Sequence, residues 1–145
     1  MRDLIELYHT FDPAVIDEAA KRSDIALDAA YGYGLSTDEN SFGWRANCMS
    51  AIYGLNAVMS NLGVKNERAL VEIVSDAVHD GWSYAAYNVD DPRYQTQPEK
   101  RENRVALADT PYSSLSESEK EKDRVIARCL IDFAWKKGPL SNKNF

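Results

Sequence analysis

His79 and Trp82 stand three apart at the end of an amphipathic run, so a helix puts an imidazole and an indole on one face. The indole offers a flat apolar wall to a ring-shaped ligand, and the imidazole offers a hydrogen bond beside it. The plainer alternative is a buried tryptophan whose histidine neighbour is satisfied by a loop carbonyl. Downstream, Tyr84, Tyr87, Tyr94 and Tyr112 are spread through one segment, with Arg93, Arg101 and Arg104 among them. Aromatic faces stack on nucleobases, a contact worth roughly 1–3 kcal/mol per base. A guanidinium forks onto phosphate oxygens. The mixture fits a nucleotide-sized pocket in which Arg93 or Arg104 neutralises phosphate. It also fits tyrosines that fasten a long loop to helices, with the arginines paired to Asp90, Asp91 and Glu102.

Other candidates are weaker. Asp90-Asp91 are adjacent, and adjacent side chains converge on one point only where the backbone turns sharply; Asp91 before Pro92 reads as a turn-former. Glu119-Lys120-x-x-Asp123-Arg124 occupies the first turns of a helix, where acids favour the dipole. Lys120 and Arg124 share a face and are placed to tie down the acidic loop, with Arg124 the one to reach a ligand. Ser113 and Ser114 lack the His–Asp arrangement that would make either a nucleophile. No metal-ligand spacing occurs, and neither a metal nor another cofactor is expected.

These residues need a scaffold. At 145 residues the chain is expected to form a single domain, 1–145, with its own core. Its formal net charge is −6, which repels a phosphate backbone and argues against a nucleic-acid polymer as partner. No apolar run approaches the roughly 20 residues of a membrane span, and Met1 to Glu6 lacks the apolar core of a signal peptide. The expected location is cytoplasmic. Cys48 and Cys129 each fall within a helical pattern and read as small buried hydrophobes.

Apolar periodicity predicts about five helices in a mainly α fold. Leu4 to Tyr8 suggests a short first helix. Asp12-Pro13 then caps and opens a helix over Ala14 to Ala30, which Gly32 stops. Phe42 to Asn61 forms the next, with Gly54 allowing a close helix–helix approach. Asn66 caps a helix from Glu67 towards Trp82, and Gly81 loosens its last turn. From Ser83 to Leu115 the pattern dissolves. Asp91-Pro92 and Gln97-Pro98 forbid a continuous helix. A long ordered loop carrying short strands is expected there, with one short helix over Pro98 to Ala108. Ser116-x-x-Glu119 is a capping box that opens the last helix, and Gly138-Pro139 ends it.

His79-x-x-Trp82, the Asp90-Asp91 loop, Thr110-Pro111-Tyr112-x-x-Leu115 and Glu119-Lys120-x-x-Asp123-Arg124 together resemble the ryanodine receptor (RyR) domain, in its single-copy bacterial or phage type. The closing block matches at the spacing of the family pattern P-Y-x-x-L-P-x-x-E-K-x-x-D-R. The likeness covers Glu67 to Phe133, so an RyR-like module over 67–136 follows an N-terminal helical part over 1–62. The family's G-W-x-Y-G is replaced by Ser83-Tyr84-Ala85-Ala86-Tyr87, and its H-P by Gln97-Pro98. The resemblance implies an α-helical module without catalysis, associated with adenine-nucleotide binding, in which a homodimer stands in for a tandem pair.

The expected function is therefore a non-enzymatic binding module for a small nucleotide-like molecule, a sensor or a sequestering sponge. His79, Trp82, Tyr84, Tyr87, Arg93, Tyr94, Arg104, Tyr112 and Arg124 are the candidate ligand-binding residues. A protein–protein adaptor is the alternative. A nucleotide-signal hydrolase is a third reading, and it needs a cluster of histidine and acids around a cleft.

Overall fold

A computed structural model describes residues 10–136, so the helix expected at Leu4 to Tyr8 and the stop at Gly138-Pro139 lie outside the described residues. Five α-helices follow in order: α1 (Pro13–Tyr31), α2 (Phe42–Ser60), α3 (Glu67–Asn88), α4 (Pro98–Ala108) and α5 (Glu117–Lys136). Local chemistry starts them where the sequence indicates. Asp12 accepts the Ala14 N–H at 2.8 Å, Asn66 accepts that of Ala69 at 3.0 Å, and Ser116 Oγ accepts that of Glu119 at 3.2 Å. Gly32 ends α1 at φ +70°, in the left-handed conformation that glycine adopts without penalty.

α2 and α3 form the central pair, with α1 and α5 packed across them and α4 laid on α3. The main core takes Ala19 from α1, Leu55 and Val58 from α2, Val74 and Val78 from α3, and Leu130 and Phe133 from α5. Burying side chains of this kind contributes roughly 1.5–3 kcal/mol each before entropy is counted. A second, smaller cluster joins Phe42 and Ala46 of α2 to Ala85, Ala86 and Val89 of α3 and Ala108 of α4.

The segment from Ser83 to Leu115 departs from expectation. It holds no strand. α3 runs on to Asn88, and the remainder is α4 flanked by two 3-10 turns, Pro92–Gln95 and Tyr112–Ser114. Two facts explain the longer α3. Ala85 and Ala86 are fully buried in the second cluster and carry high helix propensity. Gly81 does not loosen a last turn; it lies inside the helix, where an added Cβ would stand 2.4 Å from the Met49 carbonyl oxygen of α2. It is a point of close approach between the central helices. Gly54 serves a similar end, since a Cβ there would meet Leu130 Cδ1 at 2.4 Å.

Candidate functional site

The two clusters do not close against each other completely. Between them lies a cavity of about 580 Å³, in the size range of small-molecule sites. Leu27 and Ile126 of the main core border it on one side, and Phe42, Ala46 and Trp82 of the second cluster on the other. The connection from α1 to α2 forms one wall, from Tyr33 to Asp38. That wall is fastened by Asp24, whose carboxylate accepts the Ser36 N–H at 2.7 Å and the Ser36 hydroxyl at 2.8 Å. Asn47 Nδ2 donates to the same carboxylate at 3.3 Å.

A row of stacked and edge-on rings crosses the cavity. The Arg104 guanidinium sits 4.0 Å above the centre of the Phe42 ring, well within cation–π range. Phe42 meets Trp82 edge-on, centroids 5.5 Å apart. Trp82 lies parallel to His79 at 6.1 Å and 12°. His79 Nδ1 is 3.7 Å from Asp123 Oδ2. The row begins at a cation and ends at an acid, and every member lines the cavity. The other imidazole nitrogen, Nε2, stands 2.7 Å from the Thr110 carbonyl oxygen. A carbonyl only accepts, so Nε2 carries a proton, and Nδ1 is the nitrogen turned towards Asp123.

Asp91 secures the cationic end. It is 2% exposed. It accepts Arg93 Nη2 at 2.9 Å and Arg93 Nε at 3.2 Å, with Arg104 Nη1 at 3.8 Å. It also accepts the Phe42 N–H at 3.1 Å, at the start of α2. The Arg93 hydrogen bonds hold its carboxyl far below the usual range, against the opposing effect of burial. Arg93 remains half exposed, whereas Arg104 is further held by a 2.8 Å bond to the Tyr94 hydroxyl. At the other end, burial pushes the Asp123 carboxyl up to about 8, helped by Glu119 and Asp76 and opposed by Lys122. At neutral pH it carries its proton.

Of the nine candidate residues, four line the cavity: His79, Trp82, Arg93 and Arg104. The other five lie outside that lining and fasten elements together. Tyr84 packs against Tyr53 of α2. The Tyr87 hydroxyl donates to Asp109. Tyr94 is buried beneath Arg104. Tyr112 is buried and donates to Glu72 of α3, and burial raises its hydroxyl to about 12. Arg124 donates to Glu72 at 2.9 Å through Nε and to Glu117 at 2.9 Å through Nη1. Arg124 and Lys120 were expected to hold the acidic loop. Instead Arg124 holds α3, and Lys120 lies 3.6 Å from Glu117 and over the Tyr112 ring. The cause is register: Glu72 faces the first turns of α5, whereas Asp91 is already enclosed by Arg93 and Arg104.

Sequence reading missed Phe42, Asp24, Asp123 and the Tyr33–Asp38 wall. Asp123 stood inside the motif block, and a charged residue amid the buried stripe of a helix was its only signal. Among the described residues no group of three or more His, Cys, Asp and Glu side chains is placed to hold a metal ion, and no helix is long and apolar enough to cross a membrane. Cys48 and Cys129 are free, half-buried thiols. The chain matches no family model, no curated protein and no solved structure.

Proposed function

We propose that the chain is a non-enzymatic binding module for a small nucleotide-like ligand, a sensor or a sponge that lowers the free concentration of a nucleotide signal. The observation that carries this reading is the ring row: a cavity of about 580 Å³ in which Trp82 and His79 stand between two arginines and a buried acid. A heterocycle packs against the Trp82 end, and Arg93, half exposed and bonded to Asp91 through Nε and Nη2, reaches phosphate through Nη1 while Arg104 stays fixed. The likeness to the RyR domain belongs to the same reading. Its support is the spacing of Pro111-Tyr112-x-x-Leu115 and Glu119-Lys120-x-x-Asp123-Arg124, whose Tyr112 and Arg124 meet on Glu72. On that likeness the module works in the cytoplasm as a homodimer.

A thermal-shift screen of the full chain tests the reading. The panel holds adenine mononucleotides, cyclic nucleotides and ADP-ribose-type signals. A ligand at 100 times its Kd adds about 2.7 kcal/mol, a rise of about 5–10 °C for a domain of this size. Arg93→Ala should keep the fold and weaken binding about tenfold. A panel that leaves the melting temperature unmoved sinks the proposal. The adaptor reading draws on exposed Ile25, Tyr31, Tyr33 and Leu35 around the end of α1. It requires that substituting Tyr33 and Leu35 with serine abolish partner capture while the cavity binds nothing.

A further inference from the structure

The acidic end of the row is not explained by phosphate binding. Asp123 projects from α5 into the cavity at 8% exposure, beside His79. The groups around it are mostly acids. Glu119 lies one turn earlier on α5, Asp76 acts on it from α3, and Asp24 of α1 lines the same cavity. Lys122, the cation that acts on it, is 3.4 Å from Glu119. Leu27, Ile126 and Trp82 supply apolar surface nearby. His79 holds the Thr110 carbonyl oxygen at 2.7 Å through Nε2 and brings Nδ1 within 3.7 Å of Asp123.

We propose that Asp123 is the specificity-determining residue of the cavity, and that it reads a ring edge carrying an acceptor beside a donor, as in the amidine edge of cytosine or adenine. This rests on the nucleotide-binding reading above and names the base class within it. A carboxyl group that keeps its proton presents one O–H donor and one carbonyl acceptor side by side. The ring nitrogen of an amidine edge accepts from the first, and the amino group donates to the second. An ionised carboxylate presents acceptors only. It would select the two adjacent N–H donors of guanine instead. The surroundings of Asp123 keep the proton, since burial pushes its carboxyl up to about 8. The choice of base is thus coupled to pH through one side chain. The cationic end is not part of this coupling, because Asp91 is held ionised by Arg93.

Calorimetric titration of the full chain with cytidine, adenosine and guanosine monophosphates at pH 7 and pH 9 tests it. This window lies above the phosphate titration of the nucleotides. The cytidine or adenosine nucleotide should bind at pH 7 and weaken about tenfold at pH 9, as the ionised fraction of Asp123 grows. Asp123→Asn keeps a donor and an acceptor side by side, so it should bind the same nucleotide with no pH dependence across the window. Asp123→Ala should lose affinity at both pH values while melting cooperatively. Binding that ignores pH in the wild type, a pH dependence that survives in Asp123→Asn, or a preference for guanosine at pH 7 overturns the role of Asp123 and leaves the nucleotide reading standing. Absence of binding by all three at both pH values overturns this proposal, and the nucleotide reading falls with it only when the cyclic and ADP-ribose-type signals also leave the melting temperature unmoved.

Discussion

Asp91 and Asp123 stand at opposite ends of one row of rings, both almost fully buried, yet one is charged and the other neutral. Asp91 faces two arginines and accepts the Phe42 and Arg93 N–H groups, so it is ionised. Asp123 is desolvated by burial and acted on by Glu119 and Asp76, so it keeps its proton. Both are closed off from solvent, but burial is the leading effect only at Asp123, and the neighbours differ as well. Desolvation raises a carboxyl in both places, and only a fixed set of donors reverses it. The two ends are built for different chemistry: one is a charged anchor that tolerates little change, the other a neutral hydrogen-bonding group facing a void.

The comparison breaks most visibly at Asp91. Asp91→Ala leaves Arg104 buried beside an empty site and uncaps Phe42. The expected cost is about 3–5 kcal/mol, read as a lower midpoint in urea unfolding. Asp123→Asn should cost little at pH 7, because the amide replaces a neutral group of the same shape. A loss as large as that of Asp91→Ala would show that the two ends are alike after all.

The pH dependence of stability sharpens the contrast. The folded-state pKa of Asp91 is depressed, so its contribution is present above the unfolded value near 4 and is lost as pH falls from there through the depressed folded value. The folded-state pKa of Asp123 is raised to about 8, so its contribution is full below pH 4 and is lost as pH rises from there through 8. The two slopes have opposite sign. In unfolding curves between pH 5 and pH 9, Asp123→Asn should remove a decline on the order of a few kcal/mol, whereas Asp91→Ala should leave that decline in place.

The smallest expected effect concerns a tyrosine outside the cavity. Tyr112→Phe removes the bond donated to Glu72 and should cost about 1 kcal/mol, with nucleotide affinity unchanged. A loss of affinity there would bring the clasp of Tyr112, Glu72 and Arg124 into the binding site.

Much of the fold was legible because its signals are local. Asp12, Asn66 and Ser116 each cap a helix two or three residues away, and Gly32 stops α1 by its own backbone. Such bonds depend on types at fixed short spacing. The start of α2 at Phe42 was legible too, although not all that holds it. Ser41 caps it locally, but Phe42 also donates to Asp91 across 49 positions. The extension of α3 was hidden for a similar reason. Ser83, Tyr84 and Tyr87 carry no strong helical pattern, and what holds them in the helix is burial of Ala85 and Ala86 against α2 and α4. The tyrosines stood out by type, yet most of them fasten helices.

The sequence by itself determined the helices, their caps and the presence of an aromatic and arginine-rich segment. It also marked the Tyr112 to Arg124 block, whose regular spacing follows from a turn feeding a capped helix. Only the tertiary structure decided which of those side chains share a cavity, and which of two aspartates carries a charge. Helix formation follows from neighbours a few residues apart along the chain. A buried carboxyl takes its state from groups brought to it by several separate elements, and no short-range pattern encodes their distances.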